Sequence, residues 1–531
     1  MNAIGITLLG AAVAYGIAFR FRLPALPLLL GAGIILQSMG WLPFGVILGS
    51  AIHDEHAAVI RFSLVFLIFA TGAELEPRHL FIHRKQVLWI TGGQFAGVAL
   101  SGFAFARWLG FGALEGTYLG LGLAASSTLV VMRQFELRNT HYEPFAQTVS
   151  GILLLQDVML IFGIALLARI DGGWLGISHA IAAVAGLGMT SWLLQRWGVP
   201  RLIQWFKPQD ELLLLAMFGV LFGFLALAQA LGAPPMIGAF AGGFAFSRFP
   251  ANGVMRGNLL SLAGFFQALF FVALGAWIGV PDGAQWLSAL GFSALLLLVT
   301  VPIVSVLGIR NGLSTRTAIE SGLILSQTSE LSLLLGISGL GLGHLSTEGF
   351  KILSTTAVIS MTLTPFVGRG LVAQALMPLR HPFRRRSDPA LIPHDHVLLL
   401  GLGASGMNLV KPLRDQGENV LVVDDDETAC QMLKELGVPV LRGDGTDQEL
   451  LAEVGAQQAK VIVTSMRRVT DSLKVLKQVK GVPVLALVFE EDETEPVRAA
   501  GGIPILTSDA TAKSFLEWFH STGLAKDRDG H

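Results

Sequence analysis

Thirteen apolar runs long enough to cross a hydrocarbon layer of about 30 Å recur in the first 380 residues, and that number admits only a polytopic membrane fold. Their approximate limits are 3–19, 23–39, 57–74, 86–106, 113–132, 147–168, 174–194, 211–231, 234–247, 258–280, 284–309, 316–343 and 350–377. The second and ninth runs are short and rich in Gly and Pro, so they are expected to be broken, tilted or buried among other helices. Charge marks where this regime ends. Residues 1–380 hold 35 charged side chains, or 9%, whereas residues 381–531 hold 40, or 26%. Two solvents follow, lipid for the first part and water for the second, which excludes a purely soluble enzyme.

Basic residues are retained on the cytoplasmic side of membrane proteins. One set of alternate loops carries fourteen: Arg20, Arg22, Arg78, Arg84, Lys85, Arg133, Arg138, Arg196, Arg201, Lys207, Arg248, Arg256, Arg310 and Arg316. The other set carries four: Arg61, Arg107, Arg169 and Lys351. The expected topology therefore has the N-terminus outside and, after thirteen crossings, the basic stretch Arg380, Arg384, Arg385, Arg386 and the tail inside. Net charge is +5 in the membrane part and −6 in the tail, so no nucleic-acid footprint is present. The lone Cys430 gives no intramolecular disulfide. The opening stretch lacks a basic segment followed by a cleavage site and reads as a retained first span.

Ionisable residues at mid-membrane are costly and usually functional. Asp157 falls near the centre of the sixth span and Glu330 near the centre of the twelfth. A structural role, bonded to a neighbouring helix, is the alternative for each. Glu74, Glu211 and Glu320 fall near cytoplasmic span ends, where loop Arg or water is the expected partner. An internal echo adds to this. Gly120-Leu-Gly-Leu-Ala-Ala-Ser-Ser-Thr-Leu matches Gly322-Leu-Ile-Leu-Ser-Gln-Thr-Ser-Glu-Leu at five positions, in spans of opposite direction. Inverted-repeat transporters produce such pairs, with helices broken at their polar midpoints; close packing of small residues is the other explanation.

Four segments carry a family resemblance. Leu67-Ile-Phe-Ala-Thr-Gly-Ala-Glu-Leu-Glu-Pro, Ala124-Ala-Ser-Ser-Thr-Leu-Val-Val, Leu154-Leu-Gln-Asp and Gln327-Thr-Ser-Glu-Leu are similar to motifs of the second monovalent cation:proton antiporter superfamily, especially its Kef-type potassium-efflux branch. Thr328 and Ser329 stand where that branch has two glycines. The resemblance implies two broken crossing helices and an ion and proton site at Asp157, with Gln156, Ser126, Ser127, Thr128, Gln327 and Glu330 around it. It implies a transporter and not an enzyme, with no metal beyond the transported alkali cation. A carboxylate that binds either a proton or a dehydrated cation couples the two fluxes by competition, and desolvation favours the neutral form of a buried carboxyl. Electrogenic sodium/proton relatives place a second Asp at the position of Gln156 and a Lys in the opposing broken helix. No Lys occurs here between Lys207 and Lys351. Electroneutral exchange of potassium for protons is the expectation. The alternatives are sodium/proton exchange on the same fold and a nucleotide-gated cation channel, although no Thr-Val-Gly-Tyr-Gly-like filter occurs.

Residues 381–393 form a basic linker, 394–520 an α/β Rossmann-like domain of about six strands, and 521–531 a polar tail. Gly401-Leu-Gly-Ala-Ser-Gly follows a strand and opens a helix, with Asp424 ending the next strand 23 residues on. Gly401, Gly403, Ala404, Ser405 and Gly406 can cradle phosphate while Asp424, or its neighbour Asp425, accepts from ribose hydroxyls, favouring NAD(H) or an adenosine nucleotide. The segment resembles the nucleotide-binding regulatory domain of potassium transport proteins, also at Arg442-Gly-Asp-Gly-Thr-Asp. That resemblance puts Asp444 near the adenosine and implies a homodimer in the bacterial inner membrane. A membrane oxidoreductase is disfavoured, since no flavin or haem motif is present. The acidic run Phe489-Glu-Glu-Asp-Glu-Thr-Glu is expected to disfavour glutathione, an anionic peptide.

Overall fold

The computed structural model describes residues 3–21, 25–41, 55–75, 84–138, 144–206, 210–247, 251–311, 313, 315–367, 395–424, 427–466 and 468–506. Two compact units account for them, one α-helical and one α/β.

In the first unit every one of the thirteen apolar runs coincides with a helix or a pair of helices. These are α1 (Ala3–Phe21), α2 (Ala25–Ser38), α3 (Glu55–Glu74), α4 (Arg84–Trp108), α5 (Ala113–Ala124) with α6 (Thr128–Arg138), α7 (Pro144–Leu167) and α8 (Gly173–Leu193). There follow α9 (Val199–Phe206), α10 (Asp210–Ala230), α11 (Pro235–Phe244), α12 (Ala251–Ile278), α13 (Gly283–Arg310), α14 (Thr315–Leu325) with α15 (Glu330–Gly341), and α16 (Thr347–Val367). Nine helices among the described residues are long and apolar enough to cross a membrane, and α2 and α11 are shorter apolar helices. The last run ends at Val367 in the described residues. Helix α9 was not expected; it follows a π-turn over Leu194–Gly198.

Glycines show how the halves of this unit are related. A Cβ on Gly33 of α2 would strike the Val272 carbonyl of α12, and one on Gly275 of α12 would strike the Leu30 carbonyl of α2. The pair α3 and α11 repeats the device, with Gly72 against the Phe240 carbonyl and Gly243 against the Phe69 carbonyl. The second and tenth spans thus approach as the ninth and third do, which is the pairing an inverted repeat requires when spans 2 and 3 exchange with 9 and 10. Small residues permit such backbone contact where lipid supplies no hydrophobic drive between helices. The internal echo follows the same rule, since Gly120 packs on Ala99 of α4 and Gly322 on Val301 of α13.

The second unit is a six-stranded parallel sheet of order β3-β2-β1-β4-β5-β6. Its strands are β1 (Val397–Leu400), β2 (Val420–Asp424), β3 (Val440–Arg442), β4 (Val461–Thr464), β5 (Val484–Val488) and β6 (Ile503–Leu506). Both faces are covered, which is why the inner strands read as unbroken apolar runs. Leu398, Leu400, Leu421 and Ile462 pack on one side, and Val397, Leu399, Val420 and Val422 on the other. Strand order reverses between β1 and β4, the switch point at which such sheets bind ligands.

Candidate functional site

Both echoed segments are breaks. Helix stops at Ala124 and resumes at Thr128, and it stops at Leu325 and resumes at Glu330. Breaking a buried helix strands backbone polar groups, each of which costs several kcal/mol in hydrocarbon unless it is bonded again. Four contacts rebond them here. Gln94 Nε2 on α4 donates to the Ala124 carbonyl at 3.2 Å, and the Ser126 amide donates to Gln156 Oε1 at 3.0 Å. Ser126 Oγ donates to the Leu325 carbonyl at 2.7 Å, tying the two breaks together, and the Thr328 amide donates to Ser360 Oγ of α16 at 3.2 Å. Gln156 Nε2 also donates to Gln94 Oε1 at 2.6 Å. The Gln156 side chain is thus engaged in holding the fifth-span break.

Asp157 is 2% exposed on α7, one residue beyond that clamp. Thr128 Oγ1 donates to its Oδ2 at 3.2 Å, whereas its Oδ1 has no hydrogen-bond partner among the described residues. Among the described residues, Glu330 and Glu74 are the acids near enough to influence it. Glu330 is equally buried, lies near Ser127, and leaves Oε2 without a hydrogen-bond partner among the described residues. Gln327 folds back to the Ile324 carbonyl at 3.3 Å and leaves Oε1 likewise unpartnered. Ser127 Oγ caps α6 by accepting from the Val130 amide at 3.3 Å. The structure therefore brings Asp157, Thr128, Ser127 and Glu330 together, with oxygen atoms unspent among the described residues. Both α6 and α15 begin here, and helix N-termini favour negative charge.

Glu74, expected to meet loop Arg or water, is half-buried at the end of α3, and Glu320, of the same expectation, is 2% exposed. Gln94 and Ser360 were not anticipated. A Gln in the interior of the apolar fourth span was the available signal for the first; Ser360 sits in a Ser/Thr-rich helix where hydroxyls satisfied within the helix look the same in sequence. Replacing Gln94 with Leu should strand the Ala124 carbonyl and the Gln156 amide at about 1–3 kcal/mol each. Thermal unfolding in detergent checks this, and an unchanged midpoint would remove the clamp.

In the α/β unit the glycine-rich segment leaves β1 through Gly401, whose φ of 78° favours glycine, and enters α17 (Gly403–Asp415). Gly403, Ala404, Ser405 and Gly406 make the first turn of that helix. Asp424, 7% exposed at the end of β2, accepts from the Leu402 amide at 2.5 Å. Ser465 Oγ after β4 donates to the Gly401 carbonyl at 2.5 Å, and a Cβ on Gly401 would lie 3.0 Å from Met466 Cγ. Asp444 Oδ1 accepts from the amide and hydroxyl of Thr446, both at 2.8 Å, in a turn whose Gly445 abuts Leu400. Asp425 lies outside the described residues. Ser465 and Met466 were not anticipated. The glycine loop, helix start and terminal acid fit a nucleotide.

Residues 6–373 match the transmembrane sodium/hydrogen exchanger family. The chain belongs to that family. Residues 397–502 match the TrkA-N domain, so this antiporter joins a cation:proton exchange unit to a nucleotide-binding regulatory domain. A putative K(+) efflux antiporter KefB of Alkalimonas amylolytica is 24% identical over 520 residues, covering 91% of this chain and 77% of that protein. The glutathione-regulated potassium-efflux system protein KefC of Salmonella schwarzengrund is 25% identical over 496 residues, covering 89% and 78%. Among solved structures, the sodium proton antiporter MjNhaP1 of Methanocaldococcus jannaschii has a TM-score of 0.56 at 17% identity, covering 71% of this chain and 98% of that one, a likeness of fold. The antiporter is accordingly a multi-pass membrane protein with a C-terminal TrkA-N domain, similar over most of its length to Kef-type potassium-efflux proteins.

Proposed function

We propose that the antiporter exchanges potassium for protons one for one at Asp157, under the control of NAD(H) or an adenosine nucleotide bound in its TrkA-N domain. The observation that carries this reading is a buried carboxylate with one oxygen unpartnered, set where two helices break and with no Lys between Lys207 and Lys351. Protonated, Asp157 is neutral. Deprotonated, it offers Oδ1 to a dehydrated alkali cation beside the Thr128 and Ser127 hydroxyls and Glu330 Oε2. Proton and cation compete for one charge, so each must leave before the other binds. Potassium is preferred over sodium because the curated relatives are described as potassium-efflux proteins.

The proposed setting is the bacterial inner membrane, as a homodimer, with the N-terminus outside and the tail inside, an orientation that the loop charges support. Gly401, Gly403 and the start of α17 would hold phosphate, and Asp424 the ribose. Transport would change because nucleotide binds two conformations of the tail with different affinity. Glutathione is outside this proposal, since Glu490, Glu491, Asp492 and Glu495 present an exposed acidic surface after β5.

Proton flux in proteoliposomes under a potassium or sodium gradient tests the exchange. With one carboxylate alternating between one proton and one cation, the initial rate should not change when the membrane is clamped at different voltages. Voltage-dependent flux would refute one-for-one exchange, and absence of cation-driven proton flux would refute the antiport reading.

A further inference from the structure

Where spans of this protein approach at backbone distance, a glycine stands at the contact, as at Gly33, Gly275, Gly72 and Gly243. Gly163, in the interior of α7, serves no such contact, since a Cβ there would meet only Leu121 Cδ1, at 3.7 Å. Glycine is unfavourable inside a helix. What its missing side chain leaves open is a cavity of about 420 Å³, lined by Phe95 of α4, Leu121 of α5, Met159 and Phe162 of α7, Ile170 just beyond α7, and Ile177 of α8. Every lining side chain among the described residues is apolar. Phe162 and Ile170 are exposed, so the cavity opens sideways as a groove. The exchange mechanism uses none of these residues.

We propose that this groove binds one acyl chain of a phospholipid from the leaflet that bathes the Trp108 and Trp174 end of the membrane unit. Helices α4, α7 and α8 are each long and apolar enough to cross a membrane, so the medium at the mouth of the groove is hydrocarbon. Water does not fill an apolar cavity of this kind, because a buried water needs two or more polar partners. Left empty, the groove would deny Phe95, Leu121 and Met159 the dispersion contacts that packed side chains have.

Depth and width select the occupant. Met159 stands two residues beyond Asp157, near mid-membrane, and Ile170 eleven residues further on. That stretch rises about 16 Å at helical pitch, close to the roughly 15 Å of hydrocarbon in one leaflet. A volume of about 420 Å³ drawn out over that length is a slot narrower than a helix, which is about 10 Å across with its side chains, so one hydrocarbon chain fits and a span of a second copy does not. Headgroup level is marked by Trp108 at the end of α4 and Trp174 near the start of α8, both exposed, as tryptophans of an interfacial belt are. Arg107 and Arg169 are exposed at the same level, with no carboxylate partner among the described residues. Arg107 donates to the Phe111 carbonyl at 2.6 Å and Arg169 Nε to the Gly232 carbonyl at 3.1 Å. Asp171, the acid beside Arg169, is engaged with His344 Nε2 at 2.8 Å. The guanidinium donors left over suit a phosphate, which makes a phospholipid the source of the chain.

The test uses the full-length protein in vesicles of phosphatidylethanolamine and phosphatidylglycerol, with a trace of phosphatidylglycerol carrying a diazirine midway along one acyl chain. Illumination should place adducts on the groove residues between Met159 and Ile177 and on the exposed α1 residues Leu9 and Val13, which any surrounding lipid touches. Dissolving the vesicles in an uncharged detergent before illumination should remove the α1 adducts and spare those of the groove, and excess unlabelled phosphatidylglycerol should then remove the latter. Gly163→Leu fills the groove from α7 without striking backbone, and Ile177→Phe fills it from α8. Each should abolish the groove adducts and leave those on α1 in vesicles unchanged. Stripping lipid with detergent should also lower the thermal midpoint of wild type more than that of Gly163→Leu. Groove adducts that vanish with those of α1 in detergent, or that survive both substitutions, would overturn the site. So would equal falls in midpoint, or a groove that takes no label in vesicles, as a second copy seated on it would produce.

Discussion

Asp157→Asn should reduce cation-driven proton flux to background while the protein still folds and its tail still binds nucleotide. Asn has nearly the shape of Asp and can accept from Thr128 Oγ1, so the packing around α7 is kept. It cannot carry a proton at Oδ1 or the negative charge that holds a dehydrated cation. Burying a neutral amide in place of a carboxylate also removes a desolvation cost, so thermal stability should hold or rise. Flux in proteoliposomes and the thermal midpoint in detergent give the two readings. Exchange at near wild-type rate would take Asp157 out of the mechanism. Glu330, equally buried and with Oε2 unpartnered, would then be the next carrier to test.

Much of that site could be read from the chain because a mid-membrane acid is conspicuous against apolar neighbours. Asp157 and Glu330 stood out on charge alone, and the echo between Gly120 and Gly322 placed the two breaks within a residue or two. The partners that make the breaks tolerable could not be read the same way. Ser126 Oγ reaches a carbonyl 199 residues away, and Gln94 meets Gln156 across 62 residues. Nothing local in sequence records such pairings. Gln156 illustrates the point: its place beside Asp157 implied a ligand, yet its amide is occupied on both sides by Ser126 and Gln94. The inverted pairing of α2 with α12 and α3 with α11 was hidden for a related reason. It rests on Gly33, Gly275, Gly72 and Gly243, single glycines whose role appears only when a second backbone arrives. Helix α9 was missed because Pro200 and the basic residues around it read as a loop; Pro near a helix start is compatible with helix, since its missing amide lies among those left unbonded there.

The α/β unit was legible for the opposite reason, that its signals are local. Gly401, the start of α17 and Asp424 are fixed by two adjacent βα units, whereas the strand order β3-β2-β1-β4-β5-β6 came from the structure. What the fold adds is a second duty for Asp424. Its Oδ2 accepts from the Leu402 amide, so the acid proposed to bind ribose also anchors the loop proposed to bind phosphate. Asp424→Ala should therefore weaken nucleotide binding more than the loss of one ribose bond. A charge-assisted hydrogen bond contributes about 1.5–3 kcal/mol, and each 1.4 kcal/mol is about tenfold in affinity. A rise in Kd of at least about tenfold is expected, measured by calorimetry on the full protein, with the nucleotide effect on flux lost and basal exchange retained. Asp424→Asn keeps an acceptor for Leu402 and should lose less than Asp424→Ala, separating loop anchoring from charge. Equal losses in the two variants would leave charge as the whole contribution. If nucleotide binds tightly yet wild-type flux is the same with and without it, the TrkA-N domain does not gate transport, and pairing two copies of the chain becomes the role left for it.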